Sequence, residues 1–242
     1  RGLGGEGVFP AFEVTIMNYL DTLLFGVYPY LAGAVFLLGS LARFDRDQFT
    51  WKAHSSQILN NKNMRLASNL FHVGILLLFL GHLAGLLTPP EIFHALGVSA
   101  GAKQMLAIVA GSIAGIMCFV GLTLLVQRRL TDSRVRANST RMDIFILLLL
   151  YAQLILGLIT IPVSLTHLDG HNMLNLMGWG RNIVTFDPVE AVEAVSHVGL
   201  LFKLHLFLGL TVFLVFPFSR LVHIWSAPVT YPARPYQVVR QR

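Results

Sequence analysis

The chain has 242 residues, of which 55% are hydrophobic and only 12% are charged, and its mean hydropathy of +0.65 excludes an ordinary soluble domain, which could not bury so much apolar surface. The net charge is +6, but the basic residues follow the loops, so nucleic-acid binding is not indicated. The single cysteine, Cys118, excludes an intrachain disulfide and a c-type haem attachment motif, and we predict that it is buried packing.

Five segments approach or exceed the roughly 20 apolar residues that cross a ~30 Å hydrocarbon core. They are Thr22–Ala42, Asn69–Leu87, Lys103–Val126, Ile144–Val163 and Leu200–Leu221, the second being the shortest. Their apolar character is continuous rather than alternating, which favours helices over the strands of a barrel. The predicted fold class is therefore all-α integral membrane, a bundle of five transmembrane helices over residues 22–226. Residues 227–242 form a predicted tail.

Residues 1–21 form a predicted N-terminal extension that is too polar to span a membrane. Two interpretations of it stay open. Its apolar residues, Phe9 and Phe12 among them, could give one face to the membrane interface, or the segment could be an irregular extension.

Most of the Lys and Arg residues fall at one side of the predicted bundle, where the positive-inside rule places the cytoplasm. The N-terminus is then outside the cell and the C-terminus cytoplasmic. These basic residues are Arg43, Arg46, Lys52, Lys62, Arg65, Arg128, Arg129, Arg134, Arg136, Arg141, Arg220, Arg234, Arg240 and Arg242.

Four histidines lie in or next to apolar segments, where an ionisable residue is by default a functional hypothesis. His72 and His82 belong to the second segment, and His205 and His223 to the fifth. A neutral imidazole is a good axial ligand of haem iron. Since the two segments run in opposite directions, we predict that His72 pairs with His223 on the inner side and His82 with His205 on the outer side.

The spacing of these histidines does not match between the two segments. On ideal helices, eighteen residues span about 27 Å and return to the same face, whereas ten residues span about 15 Å and leave the side chains roughly 80° apart. Helix tilt, skewed ligation or a bend near Pro217, which lacks an N–H, would be needed to reconcile the two spacings.

Glycines near the histidines could leave room for a flat macrocycle. Gly74, Gly81 and Gly85 surround His72 and His82, and a further glycine, Gly209, lies one turn from His205. The alternative interpretation is helix–helix packing, because Gly81 with Gly85, and Gly111 with Gly115, have small-xxx-small spacing.

The other histidines and the tryptophans have simpler interpretations. We expect exposure in loops for His54, His94, His167 and His171, and an aromatic belt for Trp51, Trp179 and Trp225. His197 is the main competitor of His205 for the outer haem. Lys103 is a lone cation where the third segment enters the membrane; it could donate a hydrogen bond to an oxygen of a bound ligand, or snorkel to the interface.

Several stretches resemble the gamma subunit of the bacterial membrane-bound respiratory nitrate reductase, a dihaem cytochrome b. The stretches are YPYLAGAVFL from Tyr28, ASNLFHVGIL from Ala67, GH at Gly81, LTP from Leu87, QRRL from Gln127, SRVRA from Ser133, LHL from Leu204 and FPFSRLVHIWS from Phe216. The resemblance covers nearly all of the chain after about Tyr28. The N-terminal extension and residues 169–196 depart from the family pattern.

The resemblance implies two haems b, with His72 and His223 ligating the inner haem and His82 and His205 the outer one. It also implies a quinol site beside the outer haem at Gly81, His82 and Lys103. The expected function is quinol oxidation near the outer face, with electrons passing to an iron–sulfur subunit and a molybdenum subunit on the cytoplasmic side of the bacterial inner membrane. This chain has no cluster-binding cysteines, so nitrate reduction belongs to the partners.

Three alternatives stay open at this point. A similar dihaem subunit could serve a related molybdoenzyme, or a nitrite-oxidising complex running in reverse. The histidines could instead relay protons in a transporter, or the chain could be a membrane anchor without haem.

Overall fold

The structure is a computed structural model that describes residues 19–51, 59, 63–166 and 168–226. In these residues the chain forms helices and turns and no strand. After π-helical turns at Thr22–Val27, the α-helices are α1 (Tyr28–Arg46), α2 (Met64–Leu87), α3 (Pro90–Ala95), α4 (Ala100–Thr131), α5 (Ser133–Ala137), α6 (Arg141–Leu165), α7 (His171–Val184), α8 (Pro188–Ser196) and α9 (Leu200–Val215). Short 3-10 helices cover Gln48–Thr50, Phe216–Phe218 and Arg220–Ser226.

Five helical segments are long and apolar enough to cross a membrane, which confirms the predicted fold class. They are Tyr19–Arg46, Met64–Leu87, Ala100–Thr131, Arg141–Leu165 and Leu200–Phe218. Large apolar side chains such as Leu38, Leu80 and Ile113 are exposed on them, as expected where lipid rather than water is the solvent. The orientation of the termini stays a prediction, and residues 1–18 and 227–242 lie outside the described part of the chain.

Two predicted span boundaries differ from those in the structure. α2 begins at Met64, five residues before the predicted start at Asn69, so the second span is a full 24 residues. The last span is shorter than predicted, because its α-helix ends at Val215 and a 3-10 turn carries the chain to Phe218. His223 therefore lies in a separate 3-10 helix, Arg220–Ser226, and does not share a helix with His205.

The closest helix packing joins α2 and α4. A Cβ on Gly74 would lie 2.6 Å from the backbone nitrogen of Cys118, and a Cβ on Gly121 would clash with the backbone of Phe71. Cys118 is free and fully buried in this contact, as predicted. Gly74 thus lets two helices approach, and the prediction that it makes room for a macrocycle is wrong.

The bundle has two ends, named here after their histidines. The His82 end holds Leu87, Ala100, Leu165 and Leu200, and the His72 end holds Arg46, Met64, Thr131, Arg141 and Phe218. The helices α7 and α8 cover the His82 end.

Trp179 ties α7 to the first span at the His82 end. Its indole Nε1 donates to the Phe25 carbonyl at 3.0 Å, within the π-helical turns, and it packs with Ala191, Val195 and other buried residues. Only 5% of Trp179 is exposed, so the prediction that it belongs to an interfacial belt is wrong.

Candidate functional site

The structure brings His82 and His205 together at the His82 end. Their ring centroids are 6.1 Å apart, and the ring planes are inclined by 44°. His82 lies on the penultimate turn of α2 and His205 on the second turn of α9, so the opposite directions of the two spans place the two side chains at one end of the bundle.

The separation of these rings suits one metal between them. A first-row metal bonds an imidazole nitrogen at about 2 Å, so two imidazoles on opposite sides of one ion have ring centres roughly 6 Å apart. A bis-histidine haem has this arrangement, since the macrocycle supplies the other iron ligands. His82 and His205 therefore fit a haem iron.

The second pair, His72 and His223, lies at the His72 end. Burial lowers the pKa of the His223 imidazole, which lies beyond the last span, and the charges of Arg220 and His72 lower it further against a hydrogen bond that raises it. A lowered pKa keeps His223 neutral near pH 7, the form that ligates metals.

Hydrogen bonds orient three of the four imidazoles for ligation. Nδ1 faces a backbone carbonyl in His72 (Ser68, 2.7 Å), in His82 (Leu78, 2.7 Å) and in His223 (Arg220, 2.6 Å). A carbonyl can only accept, so Nδ1 is the protonated nitrogen and Nε2 keeps its lone pair. This is the usual outer-shell arrangement of a metal-binding histidine.

His205 is held differently from the other three. Its Nδ1 is buried and has no hydrogen-bond partner among the described residues. Gly157 on α6 makes space for the ring, since a Cβ there would lie 2.9 Å from Cε1 of His205. Sequence reasoning missed Gly157, although a glycine within the apolar run of α6 is a signal for a close contact.

The remaining glycines are compared with the two predicted roles, which are room for a macrocycle and helix–helix packing. A Cβ added to Gly81 or Gly85 would have nothing within 4 Å, which agrees with the prediction of room beside His82. Gly115 packs against Leu158 of α6, as the helix-packing interpretation predicts, but a Cβ on its predicted companion Gly111 would have nothing within 4 Å. A Cβ on Gly209 would lie 3.1 Å from Nε2 of the Gln153 amide.

Lys103 lies inside the His82 end rather than at the interface. The residue is 7% exposed, so it does not snorkel. Its ammonium donates to the Gly85 carbonyl at 3.2 Å and to the Met177 sulfur at 2.8 Å, and it lies 3.8 Å from the centre of the Phe93 ring. Lys103 is thus a buried cation whose partners in these contacts are neutral. Its partner on α2, Gly85, lies one helical turn after Gly81 and His82.

His197, the predicted competitor of His205, is exposed and pairs with Glu193 at 3.2 Å through its Nε2. His171 is exposed as predicted. The predictions for His54 and His167 fall outside the described residues, as does the His94 side chain.

Comparison with known proteins identifies the family. The sequence profile of the nitrate reductase gamma subunit matches residues 21–242. The chain belongs to the nitrate reductase gamma subunit family. It is 51% identical to the respiratory nitrate reductase 1 gamma chain of Escherichia coli K12 over 226 residues, which is 93% of this chain and 100% of that protein.

Two more gamma chains are similar along their whole length. The respiratory nitrate reductase 2 gamma chain of Escherichia coli K12 is 48% identical over 94% of this chain and 100% of its own. The nitrate reductase gamma chain of Bacillus subtilis 168 is 38% identical over 91% of this chain and 98% of its own. This gamma subunit is therefore the membrane cytochrome b subunit of a respiratory nitrate reductase complex, and that complex is an oxidoreductase.

The gamma subunit also has a buried ion pair that sequence reasoning missed. The Lys203 ammonium donates to a carboxylate oxygen of Asp21 at 2.6 Å, and both side chains are about nine-tenths buried. The pair joins the start of the first span to the start of α9, two residues before His205. The available signal was a lone acid and a lone base at the same predicted end of two spans.

Proposed function

We propose that this gamma subunit oxidises quinol at the His82 end and serves a cytoplasmic iron–sulfur subunit and a molybdenum subunit that reduces nitrate. The observation that carries the proposal is the 6.1 Å separation of the His82 and His205 ring centroids, in a chain of the nitrate reductase gamma subunit family. The names of its relatives, respiratory nitrate reductase gamma chains, support the choice of partners.

Two haems b are the proposed cofactors, held by His82 with His205 and by His72 with His223. When bound, they supply one-electron carriers at two depths of the bundle. The role of the chain is to hold the ligands in a fixed tautomer. The Leu78 carbonyl does so for His82, and the carbonyls of Ser68 and Arg220 do so for the inner pair.

The proposed quinol site lies where Lys103 meets α2 and α7. A small cleft there is lined by Lys103, Phe93, Met177 and neighbouring residues. The Lys103 ammonium can donate a hydrogen bond to a quinol oxygen and stabilise the negative charge that develops as the hydroxyl loses its proton. Gly81, on the turn of α2 before Gly85, has no side chain and leaves open space beside the helix. The cleft and His82 belong to the same end of the bundle, although neither His82 nor Gly81 lines the cleft.

Sidedness rests on the positions of the charges. Arg43, Arg129 and Arg141 belong to the His72 end, which the positive-inside rule assigns to the cytoplasm. The His82 end then faces outside, and protons from quinol leave there. Electrons are delivered to partners on the opposite side, so turnover separates charge across the membrane.

The test is a pyridine haemochrome assay with a reduced-minus-oxidised spectrum of the purified complex. Two haems b per gamma subunit are expected. A complex without haem b would contradict the proposal and favour a membrane anchor or a proton transporter. Mass spectrometry of the copurified partners identifies the catalytic subunit. Assays with nitrate and nitrite then show whether the complex reduces nitrate or oxidises nitrite.

Replacing Lys103 with alanine is expected to slow quinol oxidation while both haems are retained. A hydrogen bond from a charged donor contributes about 1.5–3 kcal/mol, so kcat/KM should fall roughly 10- to 100-fold. Quinol kinetics in membranes, with the haem spectrum recorded on the same sample, check this. Arg181→Ala removes another cation near that end and should leave the kinetics unchanged; equal rates for the two variants would remove Lys103 from the site.

Replacing Gly157 with alanine is expected to alter the outer haem alone. The new methyl carbon would lie 2.9 Å from Cε1 of His205, so the imidazole must rotate or shift. Electron paramagnetic resonance should show a changed low-spin signal for the outer haem and an unchanged one for the inner haem. Gly111→Ala is the control, because a Cβ there has nothing within 4 Å. Identical spectra for Gly157→Ala and the wild type would contradict the contact.

A further inference from the structure

The last span breaks before it reaches His223. The α-helix ends at Val215, a 3-10 turn covers Phe216–Phe218, and Ser219 is extended with φ −113° and ψ 177°. Pro217 lacks the N–H that would continue the helical ladder. Such a break leaves backbone carbonyls without their intrahelical partners, and an unpaired carbonyl at the edge of a membrane is costly.

Arg43, on the last turn of α1, donates to the carbonyls at this break. Its Nη1 donates to the Pro217 carbonyl at 2.7 Å and to the Ser219 carbonyl at 2.8 Å. Its Nη2 donates to the Thr50 carbonyl at 3.2 Å. One planar guanidinium therefore joins α1, the 3-10 turn that follows it and the broken end of the last span, a geometry that its fixed fork of donors allows.

The same face of α1 fits the break closely. A Cβ on Gly39 would lie 2.8 Å from Cγ of Pro217, so the proline ring packs directly on the α1 backbone. Beyond the break, the Trp225 indole donates to the Ser40 hydroxyl at 3.4 Å. The segment that carries His223 is thus held by α1 on both sides of the histidine.

A short series of contacts leads from Arg43 to the His223 ring. Ser219 gives its carbonyl to Arg43, and its hydroxyl accepts from the Leu221 N–H at 3.1 Å. The next residue, Arg220, supplies the carbonyl that accepts from Nδ1 of His223 at 2.6 Å. The peptide unit that orients the imidazole is therefore adjacent to the carbonyl that Arg43 holds.

We propose that Arg43 is a positioning residue for the inner haem. By holding the carbonyls of Pro217 and Ser219, it sets the direction of the Arg220 carbonyl and hence the plane in which His223 presents Nε2 to the iron. This inference rests on the proposed function, because it requires His223 to be an axial ligand. Arg43 itself touches neither the ligand nor the iron.

The test compares Arg43→Met and Arg43→Lys with Arg46→Met in the full nitrate reductase complex. Methionine keeps much of the side-chain length without donors. Lysine keeps the charge, but its ammonium lacks the planar fork. Arg46 is an exposed basic residue on the same turn of α1, so its variant controls for lost positive charge. The inner-haem signal is assigned beforehand as the one that His72→Ala removes.

Both Arg43 variants are expected to shift the low-spin resonance and the midpoint potential of the inner haem, with the outer haem and the Arg46→Met variant unchanged. Gly39→Ala, which presses on Pro217, should shift the same signal. Wild-type inner-haem signals in both Arg43 variants would overturn the inference and leave the proposed function intact. Parallel loss of both haems would also overturn it, since that reports folding. A wild-type complex without haem b would overturn the proposed function and the inference with it.

Discussion

Alanine at His82 or His205 is expected to remove the outer haem and leave the inner haem in place. The ring centroids of these residues lie 6.1 Å apart, and in the proposed function each imidazole is one of the two protein ligands of the same iron. Even outer-shell partners of metal ligands contribute about 10- to 100-fold to affinity or activity, so quinol oxidation should fall by more than ~100-fold. Haem content and the reduced-minus-oxidised spectrum of each variant provide the measurement.

The converse variants make this expectation selective. His72→Ala and His223→Ala should remove the inner haem and retain the outer one, because the two pairs belong to opposite ends of the bundle. His197→Ala is the matched control: it removes an exposed imidazole that pairs with Glu193, only eight residues from His205. Loss of the outer haem in His197→Ala, with its retention in His205→Ala, would show that the pairing is wrong.

Hydropathy predicted the five spans because a bilayer imposes length and apolar content on any helix that crosses it. It could not predict where the helices end. Arg65 and Asn69 lower the local hydropathy, yet α2 includes both, since polar residues at a membrane surface do not disfavour the helical backbone. In the last span, the apolar run continues past Pro217 while the α-helix stops at Val215.

The straight helix assumed when the two histidine spacings are compared is not present in the last span. A straight helix would separate His205 from His223 by about 27 Å, but the chain beyond Val215 consists of two 3-10 helices joined at the extended residue Ser219. A bend near Pro217 is among the predictions from the sequence. Arg43 is not among them, because its proposed role depends on two carbonyls that no residue pattern reveals.

Glycines illustrate the same limit. Gly74 and Gly81 lie seven residues apart on α2, yet Gly74 contacts the α4 backbone and a Cβ on Gly81 would contact nothing within 4 Å. Periodicity places both on nearly the same face, and only the position of the neighbouring helix separates their roles. Lys203, the partner of Asp21, is 182 residues away, so the sequence could place the two residues at the same end of the bundle but could not pair them.

Asp21→Ala is expected to lower the free energy of unfolding by about 3–5 kcal/mol, the usual cost of removing one partner of a buried ion pair. The Lys203 side chain is 10% exposed and would keep its charge in a poorly solvated place. The double variant Asp21→Ala, Lys203→Met removes both charges and should recover most of the loss, since replacing a buried pair by apolar groups is often neutral. Thermal unfolding in detergent micelles, on matched samples, measures the difference.

Glu193→Ala is the control, because it breaks an exposed pair instead of a buried one. The His197–Glu193 contact is exposed on both sides, with 61% and 71% of the two side chains accessible, and exposed pairs contribute about 0–1 kcal/mol. Its loss should be barely measurable beside that of Asp21. If the double variant is as unstable as Asp21→Ala alone, the cost does not come from an unpaired Lys203. Asp21 would then stabilise the first span through the backbone of its own helix rather than through α9.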